Sequence, residues 1–212
     1  MNYNEPAAYL NRKDYTHIVS IGNKCPTAMI LRELQIYKHS FPFDYVPTTP
    51  SLILRYLKEP SLFFPKQGEM CNTDGVRFEH FNTTNRYHET IQTFQRRFHR
   101  LQLILSYPVK KKILFVYSSE ADVYNEMGNR YLDNYSELYN LQQYLETTYP
   151  LSQCTFMMIH TNRSFPNTPR MFHYTINVPV EYLSDDMSTH QPSTFEPYRC
   201  VLKELVKCIF RL

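Results

Sequence analysis

The chain contains no tryptophan, only four glycines and no long apolar run among its 212 residues. So few glycines exclude a glycine-rich phosphate-binding loop at the turn 22–25, and no glycine- or serine-rich linker divides the chain. A membrane-spanning helix needs about 20 apolar residues, whereas the longest apolar runs, such as 113–117, are far shorter. The first residues, 1–6, lack the basic-then-apolar pattern of a signal peptide. We therefore expect a cytoplasmic protein that makes no contact with a membrane.

The sequence also lacks the closely spaced cysteine pairs that are typical of metal sites and redox motifs. The five cysteines show no CxxC spacing and are odd in number, which in a chain without a signal peptide favours reduced thiols over a disulfide framework. Hydrophobic residues make up 42% of the chain and charged residues 20%, and this balance excludes a disordered chain. Because no repeat or linker marks a boundary, we expect residues 1–212 to form a single domain.

The net charge of the chain says little about its partners. The formal charge is +3, and the dense basic clusters lie at 96–100 and 110–112. The first cluster falls inside a helical pattern and the second directly precedes a strand, as solvated surface charges often do. No basic stripe interleaved with aromatic residues extends beyond them, so we expect no nucleic-acid partner.

Short strand-like runs alternate with helical patterns over most of the chain. We predict strands at 16–21, 76–78, 112–117, 155–160 and 174–178. We predict helices from residue 25 onward and at 51–58, 86–105, 136–148 and 195–210. This alternation predicts an α/β fold with three layers, in which a mainly parallel sheet carries helices on both faces.

Cys25 stands where a predicted strand has ended and a predicted helix begins, with Pro26 as a common first helical residue. A thiol at a helix N-terminus feels the positive end of the helix dipole and unpaired N–H groups, and both favour the nucleophilic thiolate. The alternative is a small buried apolar residue that packs the turn. In parallel sheets, sites gather at the C-terminal ends of strands, where His80, Ser118 and His160 are also predicted.

The residues around Cys25 resemble a known family. An apolar strand leads into a Ser-x-Gly-x-x-Cys turn at 20–25, and beyond the helix residues 40–45 read Ser-Phe-Pro-Phe-Asp-Tyr. This pattern is similar to the domain of unknown function described as papain-like cysteine peptidases, found in bacteria and large DNA viruses. The resemblance continues more loosely through 77–81 and the Arg96-Arg97 helix to the strand at 113–117, and so covers about the first two thirds of the chain.

The resemblance implies a role for three residues. Cys25 would be the nucleophile, His80 the base, and Asp44 the carboxylate that orients the imidazole, as the chemistry of a thiol–imidazole pair requires. We expect the substrate to be a peptide, an ester or a glycan. The resemblance also implies a papain-like α+β fold as the alternative to the α/β fold. Because the family also occurs in large DNA viruses, a viral source would place the protein in the host cytoplasm or in the virion.

Alternatives remain open for the base and for the carboxylate. His160 or His190 could supply the imidazole instead. Asp44 lies in a proline-bounded loop, where an aspartate usually bonds its own backbone. Its place between two aromatic residues suggests burial, which would require a partner such as Arg96 or Arg97.

Metal-binding and other hydrolase motifs are incomplete. The stretch 88–92 lacks the second histidine of a zinc helix, and Cys71, His80 and His88 have no metal-site spacing. We therefore expect neither a metal nor a cofactor. The late loop is similar in layout to SGNH-type esterases, but the first turn lacks their serine, and neither Asp185 nor Asp186 has the right separation from His190.

Three functional hypotheses follow from the sequence. The first is a thiol-dependent hydrolase or transferase that acts on an amide or ester through Cys25. The second is a non-enzymatic α/β binding module, associated with a virus or a glycan, in which Cys25 and Asp44 hold the first loop together. The third is a carbohydrate-modifying enzyme that uses the strand-end cleft without a cysteine nucleophile.

Overall fold

The structure is a computed structural model that describes residues 1–22, 25–118, 135–179 and 192–212, with the backbone alone for 192–195. Five strands lie within this part of the chain: β1 Asn2–Tyr3, β2 His17–Ser20, β3 Lys111–Ser118, β4 Ser152–Thr161 and β5 Met171–Asn177. They form a sheet in the spatial order β1–β5–β4–β3–β2. β2, β3, β4 and β5 run parallel to one another, and β1 pairs antiparallel with β5.

Five helices lie in the same described ranges: α1 Cys25–Glu33, α2 Pro50–Lys58, α3 Tyr87–Ser106, α4 Tyr135–Thr148 and α5 Pro192–Phe210. Pro50 opens α2 at a position where its missing N–H costs no hydrogen bond. The preceding Thr49 hydroxyl caps the helix by accepting a hydrogen bond from the Leu52 N–H at 3.3 Å. α3 buries an apolar stripe at helical spacing: Phe94, Phe98, Leu101 and Leu105.

None of the helices in the described part of the chain is long and apolar enough to cross a membrane.

The middle of the sheet explains why its strands read as apolar runs. From Ile113 to Tyr117 every residue of β3 exposes 2% of its surface or less. Because successive side chains of a strand point to opposite faces, this burial includes both faces of β3, so the strand carries no alternation of polar and apolar residues. The predicted α/β fold with a mainly parallel sheet is confirmed, and it differs from the antiparallel sheet of the papain-like alternative.

Most predicted elements occur within a few residues of the predicted bounds, with two differences. The strand predicted at 76–78 is wrong, because this segment forms only an isolated bridge between Cys71 and Arg77. β1 was not predicted, since a strand of two residues carries no periodic pattern. The last predicted strand, 174–178, starts three residues earlier, at Met171.

An aromatic cluster centred on Phe63 supports both predicted site loops. The Phe63 ring makes edge-on contacts, with 5.0 to 6.2 Å between ring centroids, to Phe43, Tyr56, Phe64, Phe78, Phe94 and Phe98. Such pairs add about 0.5–1.5 kcal/mol each beyond the burial of their surface. Because Phe43 directly precedes Asp44 and Phe78 lies two residues before His80, the cluster anchors the backbone at both positions.

Candidate active site

Cys25 lies near the C-terminal end of β2, at the edge of the sheet where the parallel strands end. β2 ends at Ser20 and α1 begins at Cys25. Gly22 packs against α1 so closely that a Cβ atom added to it would lie 2.1 Å from Thr27 Oγ1. A larger residue at this position would therefore displace α1, whose first residue carries the thiol.

Cys25 and His80 meet in the structure. The Sγ atom of Cys25 lies 3.0 Å from the Nε2 atom of His80. At this distance the thiol donates a hydrogen bond to the ring, or the protonated ring donates one to the thiolate, depending on where the proton resides. Cys25 is half-buried and His80 is exposed, so both are within reach of a substrate. The structure thus brings together the two residues that the resemblance implied as nucleophile and base.

His80 is held by a turn that follows a buried phenylalanine. The N–H of Phe78 donates to the Met70 carbonyl at 2.8 Å, and its carbonyl accepts from the N–H of Phe81 at 2.9 Å. Phe78 is fully buried, and the Phe81 ring packs on Phe94 of α3 with 4.5 Å between centroids. Phe78 and Phe81 are therefore anchored against the core, while His80 between them is exposed.

The other four cysteines lie in different surroundings. Cys154 of β4 is fully buried, and burial raises the pKa of its thiol to about 12. Cys200 is exposed, and Cys71 and Cys208 are half-buried. None of these four hydrogen-bonds to an imidazole within the described residues, whereas Cys25 does.

Asp44 does not contact His80. It is fully buried in the loop between α1 and α2. Its carboxylate accepts hydrogen bonds from the Tyr37 hydroxyl and from the Phe41 N–H, the latter at 3.1 Å, and lies 3.7 Å from Arg32 Nη2. Of the described partners of this carboxylate, none is an imidazole. The expectation that Asp44 orients the base by direct contact is corrected, because Asp44 instead bonds its own loop and α1.

Two arginines supply positive charge around Asp44. Burial raises the pKa of Asp44 to about 6, although its hydrogen bonds and the charges of Arg97 and Arg32 act in the opposite direction. Burial also lowers the pKa of Arg97, which the charge of Asp44 partly offsets. Of the two predicted partners, Arg97 therefore acts on Asp44, whereas Arg96 is exposed. Arg32, which sequence reasoning missed, forms the ion pair.

Tyr45 is a neighbour of His80 that sequence reasoning also missed. The two rings meet edge to face, with 6.1 Å between centroids and 77° between planes. The backbone of Tyr45 adopts a φ of 63°, in the left-handed region that few non-glycine residues occupy. The one signal in the sequence was its place as the last residue of the Ser-Phe-Pro-Phe-Asp-Tyr segment at 40–45, which carries part of the family resemblance.

The other predicted strand-end residues have partners of their own. His160 Nε2 of β4 lies 2.9 Å from His173 Nδ1 of β5, and both side chains are buried on the same face of the sheet. The Ser118 hydroxyl lies 3.3 Å from the Tyr198 hydroxyl of α5 and is also buried. These contacts form pairs separate from Cys25 and its imidazole.

Some predicted positions fall outside the described residues, namely Asp185, Asp186 and His190. Among the residues that are described, no three His, Cys, Asp or Glu side chains come together as a metal site. Cys71, His80 and His88 do not form such a group either.

An accessible thiol beside an imidazole is an arrangement suited to nucleophilic attack on a carbonyl carbon. Comparisons of the chain with protein-family models, with curated proteins and with solved structures gave no match. The feature of the described residues that bears on function is therefore the contact between Cys25 and His80.

Proposed function

We propose that this chain is a thiol-dependent hydrolase or transferase, similar to papain-like cysteine peptidases, that acts on an amide or ester through Cys25. The observation that carries the proposal is the 3.0 Å distance between Cys25 Sγ and His80 Nε2. An adjacent imidazole accepts the thiol proton and leaves the stronger nucleophile behind. Cys25 is also the first residue of α1, a helix of nine residues, so the positive end of the helix dipole favours the same thiolate.

The reaction divides into two steps. First, the sulfur of Cys25 attacks the carbonyl carbon of the substrate, and His80 passes the thiol proton to the leaving amine or alkoxide as the C–N or C–O bond breaks. This step leaves an acyl thioester on Cys25. Second, His80 takes a proton from an attacking water, amine or alcohol, the new bond to the acyl carbon forms, and the C–S bond breaks. Water gives hydrolysis, and an amine or alcohol gives transfer.

The start of α1 supplies donors for the oxyanion of each step. Pro26 has no N–H, so the second residue of the helix cannot contribute one. We assign the oxyanion to backbone amides at the N-terminus of α1 near Cys25, where the positive end of the helix dipole also favours negative charge.

We also propose that the fold has three layers, with helices on both faces of the sheet. Ser118 of β3 contacts Tyr198 of α5, and His173 of β5 contacts Tyr135 of α4. The strand register places Ser118 and His173 on opposite faces of the sheet, which supports helices on both faces and hence three layers.

All five cysteines are free, which supports a reducing compartment such as the cytoplasm.

The test is site-resolved alkylation followed by activity assays. Near neutral pH, iodoacetamide with peptide-level mass spectrometry is expected to label Cys25 ahead of the other four cysteines. Cys25→Ala is expected to abolish turnover on a panel of activated esters and peptides. Equal labelling of all five thiols, or a Cys25 that does not react, would overturn the proposal.

Two other outcomes point to the alternative functions. If Cys25→Ser lowers stability yet leaves the binding of a captured partner intact, the chain is a binding module. If a sugar nucleotide binds in calorimetry and Cys25→Ala leaves turnover of that compound unchanged, the chain is a carbohydrate-modifying enzyme without a cysteine nucleophile.

A further inference from the structure

The described neighbours of the His80 imidazole include no carboxylate. Within the described residues, no Asp or Glu side chain lies within ion-pair distance of His80; its described side-chain contacts are the sulfur of Cys25 and the ring of Tyr45. An exposed histidine has free rotation about its side-chain bonds unless a neighbour restricts it. The edge-to-face contact with Tyr45 is the contact that can supply this restriction.

The backbone of Tyr45 is held in an unfavourable conformation. Its φ of 63° costs free energy for a residue with a bulky side chain and persists only where the surroundings impose it. The neighbours on either side supply that constraint, since Phe43, Asp44 and Val46 expose 2% of their surface or less. Asp44 adds its hydrogen bond from the Phe41 N–H within the same loop. The loop therefore fixes where the Tyr45 ring lies.

Arg32 contacts Tyr45 and Asp44 together. Its guanidinium carbon lies 5.5 Å from the centre of the Tyr45 ring, and its Nη2 atom lies 3.7 Å from the Asp44 carboxylate. A guanidinium at this distance from an aromatic ring is attracted to its face. The Tyr45 ring thus makes one contact with Arg32 and another with His80, and the buried carboxylate of Asp44 holds the arginine.

We infer that Tyr45 is a positioning residue for His80, and that Asp44 acts on the base through Tyr45 rather than by touching it. The inference rests on the proposed function. The contact that matters is the ring of Tyr45 and not its hydroxyl, because the ring meets the imidazole edge to face. Asp44 hydrogen-bonds within its loop and pairs with Arg32. The loop backbone and the guanidinium of Arg32 fix the position of the Tyr45 ring, and this ring restricts the rotation of the imidazole beside the sulfur.

Two substitutions of Tyr45 separate the ring from the backbone. Tyr45→Phe keeps the ring and removes the hydroxyl. Tyr45→Asn removes the ring but places a residue that tolerates the left-handed region better than tyrosine does, so the loop conformation is not penalised. A purely structural role for Tyr45 would therefore predict little harm from the asparagine.

The readout is the rate of Cys25 alkylation by iodoacetamide as a function of pH. Tyr45→Phe is expected to match the parent chain. Tyr45→Asn is expected to move the midpoint of the profile to higher pH and to slow labelling near neutral pH by about two- to tenfold, the equivalent of one aromatic pair contact. An unchanged midpoint in Tyr45→Asn would overturn the inference, and so would an equal shift in Tyr45→Phe.

His80→Ala distinguishes this inference from the proposed function. If His80→Ala leaves the Cys25 profile unchanged, the thiol–imidazole pair is not functional and both conclusions fail. If His80→Ala shifts the profile and Tyr45→Asn does not, the pair stands and the role of Tyr45 is refuted. If both shift it and Tyr45→Phe does not, both conclusions are supported.

Discussion

The sulfur of Cys25 and the Nε2 atom of His80 lie 3.0 Å apart, although 55 positions separate the two residues in the chain. One residue begins the helix after β2, and the other lies in a loop before α3. The aromatic cluster around Phe63 anchors the backbone near His80, and the packing of Gly22 on α1 fixes the start of the helix that carries Cys25. The contact therefore depends on the packing of segments that are remote in sequence.

Replacing the imidazole should remove the special reactivity of Cys25. We expect His80→Gln to slow alkylation of Cys25 near neutral pH by about tenfold or more, because an unassisted thiol is only a few per cent thiolate there. Turnover should fall by about 10²- to 10⁴-fold, as for loss of a general base. His88→Gln, which changes an exposed histidine of α3, is the matched control. Equal losses in the two variants would contradict the prediction.

The buried carboxylate of Asp44 should make stability depend on pH. Burial raises its pKa from the ordinary 3.8 to about 6 in the folded chain. From about pH 4 to about pH 6 the folded chain therefore holds a proton that the unfolded chain has released, so stability falls as pH rises, by about 3 kcal/mol in all. Below this window, Asp44 is protonated in both the folded and the unfolded chain, so it does not change how stability depends on pH.

Urea unfolding at a series of pH values tests this expectation. The free energy of unfolding of the parent chain minus that of Asp44→Asn should decrease across the window and level off above it, because asparagine does not titrate. Asp14→Asn, at an exposed carboxylate, is the control for loss of one negative charge. A difference between parent and Asp44→Asn that stays constant across the window would show that Asp44 ionises as freely as in the unfolded chain.

The turn before Cys25 should not accept a side chain. A Cβ atom on Gly22 would lie 2.1 Å from Thr27 Oγ1, so Gly22→Ala forces α1 to move and should cost about 1–3 kcal/mol of stability. Because α1 carries Cys25, labelling of that thiol should slow as well. Gly68→Ala is the comparison: it has open space but a φ of 83°, so it should cost about 1–2 kcal/mol through strain and leave Cys25 labelling unchanged.

The side chain of Asn72 should contribute strongly to the stability of the loop that leads to His80. Its buried amide donates to the Tyr56 hydroxyl at 2.9 Å and to the Phe63 carbonyl at 3.0 Å, and its carbonyl accepts from the N–H groups of Asp74 and Val76. Replacing it by alanine leaves several of these groups without partners.

We therefore expect Asn72→Ala to lower the free energy of unfolding by roughly 3 kcal/mol, since each buried unsatisfied group costs about 1–3 kcal/mol. Chemical denaturation measures the loss. Asn85→Ala, at an exposed position of the same region, should change stability by less than about 0.5 kcal/mol. A similar small effect at Asn72 would mean that its hydrogen bonds are replaced by water.

Local patterns in the sequence predicted the elements well because they depend on near neighbours. The apolar run of β3, the amphipathic spacing of α3 and the Cys25-Pro26 start of α1 each reflect the backbone state of a few adjacent residues. The alternation of these elements then predicted the mainly parallel sheet. The single bridge at Arg77 and the two-residue β1 were predicted wrongly or not at all, because their pairing is set by distant segments.

The composition of the candidate site shows the same division. The sequence by itself determined that Cys25 begins a helix at the end of a strand, since a turn and a helix start are local features. Only the tertiary structure decided which of the eight histidines lies beside that sulfur, that Asp44 pairs with Arg32, and that Tyr45 meets the imidazole. These contacts join residues whose separation in space is set by how loops and helices pack around shared aromatic rings, and no periodicity along the chain encodes that distance.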